Sequence, residues 1–267
     1  MDTSNRFAQF APAIQALELD RINAPSDIPA SFLLGQEKKL TSHYIPFDSV
    51  NPSARLVLVG ITPGFTQWKN AMREAQRQLR AGASADVAHR AAKQTGAFSG
   101  EMRPKLIGLL DHIGLHQWLG LTSCSALFHS ASHLVQTTSI LRDPVFITGA
   151  KKPNYNGTPN MIRSDFLRAQ IEAGFAKEAQ ALEKAVFVPL GSKVSEGLDW
   201  LVQRGVIPAD RILHGLPHPS GANAERIAYF LGRKDRLALS AKTNAARLDR
   251  INRDLKESVA NLRRPQS

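Results

Sequence analysis

The sequence predicts an α/β fold with a parallel sheet covered on both faces, and three observations predict it. Two short apolar, β-branched runs, at 55–59 and 185–190, read as strands with no polar face. Each is closed by a glycine, Gly60 and Gly191, where a buried strand would end. Helical patterns follow both, and alternating strands and helices build a parallel sheet with helices on its faces. With 267 residues, 43% of them hydrophobic, the chain can bury one sizeable domain with decorations.

In chain order, residues 1–50 read as an N-terminal extension: a short helix over 6–19, then a Pro- and Ser-rich connector. The first strand is Leu56-Val57-Leu58-Val59 with Arg55 before it. Helices follow at 67–79 and 85–93, separated by Ala81-Gly82-Ala83-Ser84. An amphipathic helix over 104–113 places Leu106, Leu109, Leu110 and Ile113 on one face. A second strand is expected near 120–125. Residues 128–164 read as irregular, and so long a loop in a compact domain is often functional. A helix over 164–182, the third strand at 185–190, a helix over 194–204, a last strand at 211–216 and a helix over 222–231 complete a core of 51–232. The tail, 233–267, holds ten basic and four acidic side chains. Leu248, Ile251, Leu255, Val259 and Leu262 follow helical spacing in it, which predicts a helix packed by that stripe with its basic face outward.

Charge and composition narrow the function classes. Thirty-four Lys and Arg against 23 Asp and Glu give +11, a balance that favours polyanions, nucleic acid first among them. The lone Cys124 excludes an intrachain disulfide and any site built from several thiolates. No apolar run is long enough to span a bilayer, and Met1 to Arg6 shows no basic-then-apolar leader, so a cytoplasmic chain is expected, and a monomer with it. His214 and His218 have i, i+4 spacing, but Gly215-Leu216-Pro217 between them breaks the helix a metal pair would need, and no metal or cofactor is expected.

Two loops carry the chemistry. Gly60-Ile61-Thr62-Pro63-Gly64 follows the first strand, and Pro217-His218-Pro219-Ser220-Gly221 follows the last. Loops at the carboxyl ends of parallel strands form the ligand crevice of an open α/β sheet. This pair resembles the motifs of the uracil-DNA glycosylase superfamily: a water-activating Gly-x-(Asp/Asn/Ala)-Pro-(Tyr/Gly) loop and a His/Asn-Pro-Ser loop. Gly96-Ala97-Phe98-Ser99-Gly100 resembles the segment whose Phe stacks on the flipped base, and 186–192 resembles the third-strand signature. The likeness covers roughly residues 55–231.

The resemblance implies a three-layer α/β/α sandwich around a four-stranded parallel sheet, plus extra helices. It also implies a DNA glycosylase that flips a base into a pocket and hydrolyses its N-glycosidic bond. His218 would stabilise the departing base oxygen, and Thr62 would orient water. Gly60, Ile61, Pro63, Gly64, Phe65, Phe98 and Ser123 would line the pocket. Ser192, Lys193, Pro219, Ser220, Gly221, Asn223, Arg226, Lys151 and Lys152 would hold DNA.

The departures define the expected substrate. Thr62 stands where active members carry an Asp base, which leaves Asp111, His129, His133 and Asp143 as candidate activators of water. Gly64 stands where strict uracil enzymes carry a Tyr that blocks C5 substituents. Ser123 stands near the position of a base-reading Asn, and Ala222 at a wedge position that Asn223, Arg226 or the 128–164 loop would have to fill. The chain lacks the cysteines of the iron–sulfur branches. The expected target is therefore a C5-substituted pyrimidine, including bulky phage-type bases such as glucosylated hydroxymethylcytosine, in repair or antiviral defence. A broad uracil/mismatch glycosylase, or an inactive DNA-binding protein on the same fold, are the alternatives. A serine hydrolase built on Ser123 or Ser220 lacks the Gly-x-Ser-x-Gly elbow.

Overall fold

The computed structural model describes residues 3–263; the first residues of the leader reading and the end of the basic tail lie outside them. In chain order the helices are α1 (Thr3–Ala16), α2 (Phe65–Arg80), α3 (Ala85–Gly96), α4 (Met102–His112), α5 (Leu115–Trp118), α6 (Asp165–Ala173), α7 (Phe175–Gln180), α8 (Ser192–Gln203), α9 (Ala224–Phe230) and α10 (Ala245–Ala260). The strands are β1 (Leu33–Glu37), β2 (Leu40–His43), β3 (Leu56–Gly60), β4 (Val135–Ser139), β5 (Val145–Ile147) and β6 (Val186–Pro189). They form two three-stranded sheets, β1-β2-β5 and β4-β3-β6. The fold is mixed α/β with one parallel sheet, and the expected four-stranded sheet is not formed.

The chain divides into two compact units, each drawn from three stretches of sequence. The first comprises 1–50, 61–99 and 138–181. Here α2 buries Trp68, Ala71, Met72 and Ala75, spaced at i, i+3, i+4 and i+7. It packs on α3 closely enough that a Cβ on Gly96 would fall 2.9 Å from Ala71 and Phe47. The Trp68 indole donates to the Tyr44 carbonyl at 2.8 Å, and the Gln76 amide donates to Leu17 O at 2.8 Å, tying down the end of α1. The antiparallel sheet β1-β2-β5 was not expected from the sequence. The β1 residues Leu33 and Leu34 are both 39% exposed, and the apolar alternation of a half-buried strand is missing there. The helix expected over 164–182 is two helices, because the backbone at Gly174 turns to φ −109, ψ −88.

The second unit comprises 51–60, 100–137 and 182–267. β3 is buried at every position and pairs parallel with β6, Leu56 opposite Val186 through Val59 opposite Pro189. The fourth strand expected at 211–216 shrinks to one parallel bridge, Phe187 to Ile212, with the Leu213 N–H on Phe187 O at 2.9 Å. A 3₁₀ turn ending at Arg211 and Gly215 at φ +104 leave no room for a longer ladder.

The second strand lies at 135–139 and not near 120–125. At the expected place Ser123 caps a 3₁₀ turn over Cys124–Phe128, accepting from the Ser125 N–H at 3.1 Å. Local side-chain bonds of this kind compete with a ladder. The true strand, Val135-Gln136-Thr137-Thr138-Ser139, is polar in sequence. The Gln136 side chain is nevertheless 2% exposed and accepts from the Asn51 N–H at 3.0 Å. Residues 128–164, expected to be irregular, thus contain β4 and β5. The tail helix α10 buries Leu255 and Val259, and Asn252 donates to Phe230 O at 2.9 Å.

Candidate active-site loops

The loop after β3 enters the first unit at Ile61. Ile61 O accepts from the Leu141 N–H at 3.0 Å, so the chain after β4 runs beside this loop. The Thr62 hydroxyl is engaged there twice. It donates to Asp143 O at 3.1 Å and accepts from the Val145 N–H at 3.0 Å. Its proton is therefore spent on the backbone, and what Thr62 can still offer a water is its carbonyl or one remaining lone pair. Pro63 is buried, and Gly64 is the N-cap of α2 in ordinary extended geometry, φ −86, ψ 169. The Phe65 ring is partly exposed, stacked at 6.2 Å on Trp68 and edge-on at 6.4 Å to Phe146. Phe98, expected to stack on a base, is 6% exposed with φ +50 and presents no open ring face. Phe65 is the better-placed flat surface in this unit.

Next to Thr62 lies a largely buried ionic group, with Asp48 and His89 buried and Arg6 and Asp143 partly exposed, that the sequence did not announce beyond Asp143. The Arg6 guanidinium meets Asp143 Oδ2 at 2.9 Å, and His89 Nε2 meets Asp48 Oδ1 at 2.8 Å. Burial raises the Asp143 carboxyl above the usual range even with Arg6 and Arg142 nearby. For Asp48 burial acts in the same sense, but the His89 contact and the charges of Arg6 and Arg142 outweigh it, and its carboxyl stays below the usual range. Tyr44, fully buried, packs against Phe10 at 3.8 Å with the Arg6 guanidinium 5.1 Å from its ring. These residues sit far apart in sequence, and no spacing pattern joins them.

The second loop is in the other unit. Leu190 N–H donates to Val59 O at 2.9 Å, so Gly60 and Gly191 end β3 and β6 side by side. Against Gly191 packs His218: a Cβ built on that glycine would lie 3.3 Å from His218 Cβ. His218 Nδ1 accepts from the Ser220 N–H at 3.2 Å, which puts the ring proton on Nε2. Burial lowers its pKa, which favours the neutral ring at pH 7, and its remaining N–H has no partner among the described residues. The Asn223 amide donates to His218 O at 3.1 Å and accepts from Arg226 at 2.9 Å. Asn223 is thus the clamp of this loop rather than a free wedge. Pro219 is buried, Gly221 exposed, and Ser220 partly exposed.

Ser123 donates to Asp111 Oδ2 at 2.7 Å, and the Cys124 N–H donates to Asp111 Oδ1 at 2.6 Å. Asp111 and Ser123 therefore hold a turn, and Ser123 does not sit at a strand end where it could read a base. His129 and His133 are exposed on the following segment.

No protein-family model matches the chain, and no solved structure matches it. An uncharacterized protein of Bacillus subtilis (strain 168), YoxB, is 35% identical over 221 residues, 82% of this chain and 85% of YoxB. The chain belongs to the YoxB family.

In this YoxB-family chain the remaining expected residues lie at the surface. Ser192 and Lys193 open α8 and are exposed, with the Lys193 ammonium 2.8 Å from Glu196. Arg226 and Lys242 line an open cavity of about 310 Å³ with Ala222, Glu225, Ser240 and Thr243. Glu225 is held below the usual carboxylate range by Ser240, Thr243 and Lys234, so it braces this turn. Lys151 and Lys152 are exposed in the first unit. Among the described residues no group of three metal-type ligands occurs, and no helix is long and apolar enough to cross a membrane.

Proposed function

We propose that this chain is a DNA glycosylase that hydrolyses the N-glycosidic bond of a flipped pyrimidine carrying a C5 substituent. The three-layer arrangement of the uracil-DNA glycosylase superfamily is part of this reading. One observation carries it: His218 is a neutral imidazole whose Nδ1 is occupied by the Ser220 N–H, leaving Nε2–H as a fixed donor beside the carboxyl end of the parallel sheet. As the glycosidic bond breaks, negative charge gathers on the base carbonyl oxygen. A donor already aimed and desolvated stabilises that charge without reorganising. The neutral ring also does not need to be charged to serve, which suits work near pH 7.

Other residues have tasks that match this reading. Phe65 offers a stacking face for the flipped ring. The exposed cations Lys193, Arg226, Lys151 and Lys152 offer phosphate contacts that position the strand without reading sequence. Gly64 carries no side chain to block a C5 group.

A second reading, a DNA-binding protein without catalysis, is favoured by the Thr62 hydroxyl, whose proton is committed to Asp143 O. Mass spectrometry of bases released from duplexes bearing uracil, mismatched thymine, 5-hydroxymethyluracil or glucosylated hydroxymethylcytosine separates the two. The glycosylase reading expects a free base and an abasic strand, with His218→Ala binding DNA normally but releasing at least ~100-fold less. Salt-sensitive DNA binding with no released base from any duplex establishes the second reading.

A further inference from the structure

We propose that Asn154 is the specificity-determining residue of the first loop and reads a hydrogen-bond-accepting C5 substituent. This rests on the glycosylase reading above. Gly64 does not need to be glycine for its backbone, since φ −86 and ψ 169 suit any residue. What its missing side chain leaves room for is Asn154. A Cβ at position 64 would lie 3.5 Å from Asn154 Nδ2, 3.7 Å from Cγ and 3.8 Å from Oδ1, so the whole amide group rests over this residue. A side chain longer than alanine at 64 would displace it. The wall that glycine opens is therefore occupied by a polar group from a segment some ninety residues away.

The amide has a fixed orientation. Asn154 Oδ1 accepts from the Phe65 N–H at 3.1 Å, at the first turn of α2, where Gly64 itself provides no side-chain cap. An N–H needs an oxygen, so the amide cannot be flipped, and Nδ2 is left with two N–H donors and no partner among the described residues. Asn154 is exposed, as a group that meets a ligand must be. Its backbone is held on both sides. Asn154 bridges Phe146, the Ile147 N–H donates to Pro153 O at 2.7 Å, and the Tyr155 N–H donates to Val145 O at 3.1 Å. Tyr155 is 2% exposed, and its hydroxyl bonds Pro159 O, which anchors the turn. The partly exposed Phe65 ring belongs to the residue that Asn154 caps, so a stacking face and an oriented donor pair lie next to each other.

A donor pair of this kind selects chemistry, not size alone. A hydroxymethyl group or a sugar linked through it presents an oxygen to Nδ2. A methyl group covers Nδ2 without replacing the water it loses, which leaves a desolvated donor unpaired. Thymine and 5-hydroxymethyluracil differ by that one oxygen and form the decisive pair of probes.

Base release is measured on identical duplexes carrying uracil, mismatched thymine or 5-hydroxymethyluracil. The proteins are wild type, Asn154→Asp and Asn154→Ala. Asn154→Asp keeps an oxygen for the Phe65 N–H while replacing the two donors by a charged acceptor, so it serves where the alanine variant loses stability. Wild type is expected to prefer 5-hydroxymethyluracil over thymine by roughly tenfold. Both variants are expected to bring that ratio near one. A wild type without the preference, or variants that keep it, overturns the assignment. If wild type releases no base at all, the glycosylase reading fails separately. Fluorescence anisotropy with the same three duplexes then decides: an Asn154-dependent preference for the hydroxymethyl duplex upholds Asn154 as the reader, and equal affinities overturn it.

Discussion

Replacing Gly191 with alanine tests whether the end of β6 is built around His218. Gly191 has φ +95 and ψ 162, a region that residues with a Cβ essentially do not visit. Holding alanine there costs about 1–3 kcal/mol. The new Cβ would also stand 3.3 Å from His218 Cβ and 3.7 Å from its Cδ2, tighter than ordinary packing, so the ring must move. A loss of about 2 kcal/mol lowers Tm by roughly 4–8 °C in a chain of this size. Because the ring carries the aimed Nε2–H, base release should fall further than stability does, toward ~100-fold for a displacement near 1 Å. Gly64→Ala is the control: its backbone is ordinary, its Cβ would only touch Asn154 at 3.5 Å, and its Tm should stay level or rise slightly. Thermal melts and single-turnover base release read both quantities. An unchanged Tm for Gly191→Ala would refute the strain argument. A lowered Tm with undiminished release per folded molecule would refute the coupling to His218.

Two further expectations concern the first unit. Thr62→Val leaves Asp143 O and the Val145 N–H without their shared partner and should cost about 1–3 kcal/mol in urea unfolding, whereas Thr62→Ser should keep most of it; a valine variant as stable as wild type would show that these bonds do not brace the loop. The Asp48 carboxyl, lowered in the fold, stabilises above its unfolded pKa, and that stability drains as pH falls through the lowered value. Asp48→Asn should therefore flatten the fall of Tm below about pH 4, while costing about 3–5 kcal/mol at neutral pH by taking from buried His89 its carboxylate partner. Asp143, raised by burial, works in the opposite sense, its contribution being present at low pH and lost as pH rises, and an acid limb equally steep in wild type and Asp48→Asn would refute the assignment.

The parallel pair β3 and β6 was legible because each is a continuous apolar run closed by glycine, and most helices because their apolar residues repeat at 3.6. The strand at Val135–Ser139 escaped because its burial is achieved through hydrogen bonds by Gln136 and Thr138, which a hydropathy pattern reads as surface. The expectation for Ser123 failed with it, since that residue is spent on Asp111. Phe98 has the right residue type for stacking and the wrong burial, whereas Phe65, beside the motif, remains partly exposed. Asn154 stood in the 128–164 stretch, whose length alone pointed to a function, but nothing in its own neighbourhood pairs it with Gly64.

The sequence by itself determined the elements whose causes are local: two buried strands and their closing glycines, the amphipathic helices, the stripe of the tail, and the two loops with Thr62 and His218. Tertiary structure decided everything that depends on a distant partner. It spent the Thr62 proton on Asp143, packed His218 against Gly191, buried Asp48 with His89, and laid the Asn154 amide over Gly64. Periodicity reports which face of a segment is apolar. It carries no information on which polar group, tens of residues away, will satisfy a buried donor or occupy the space a glycine leaves.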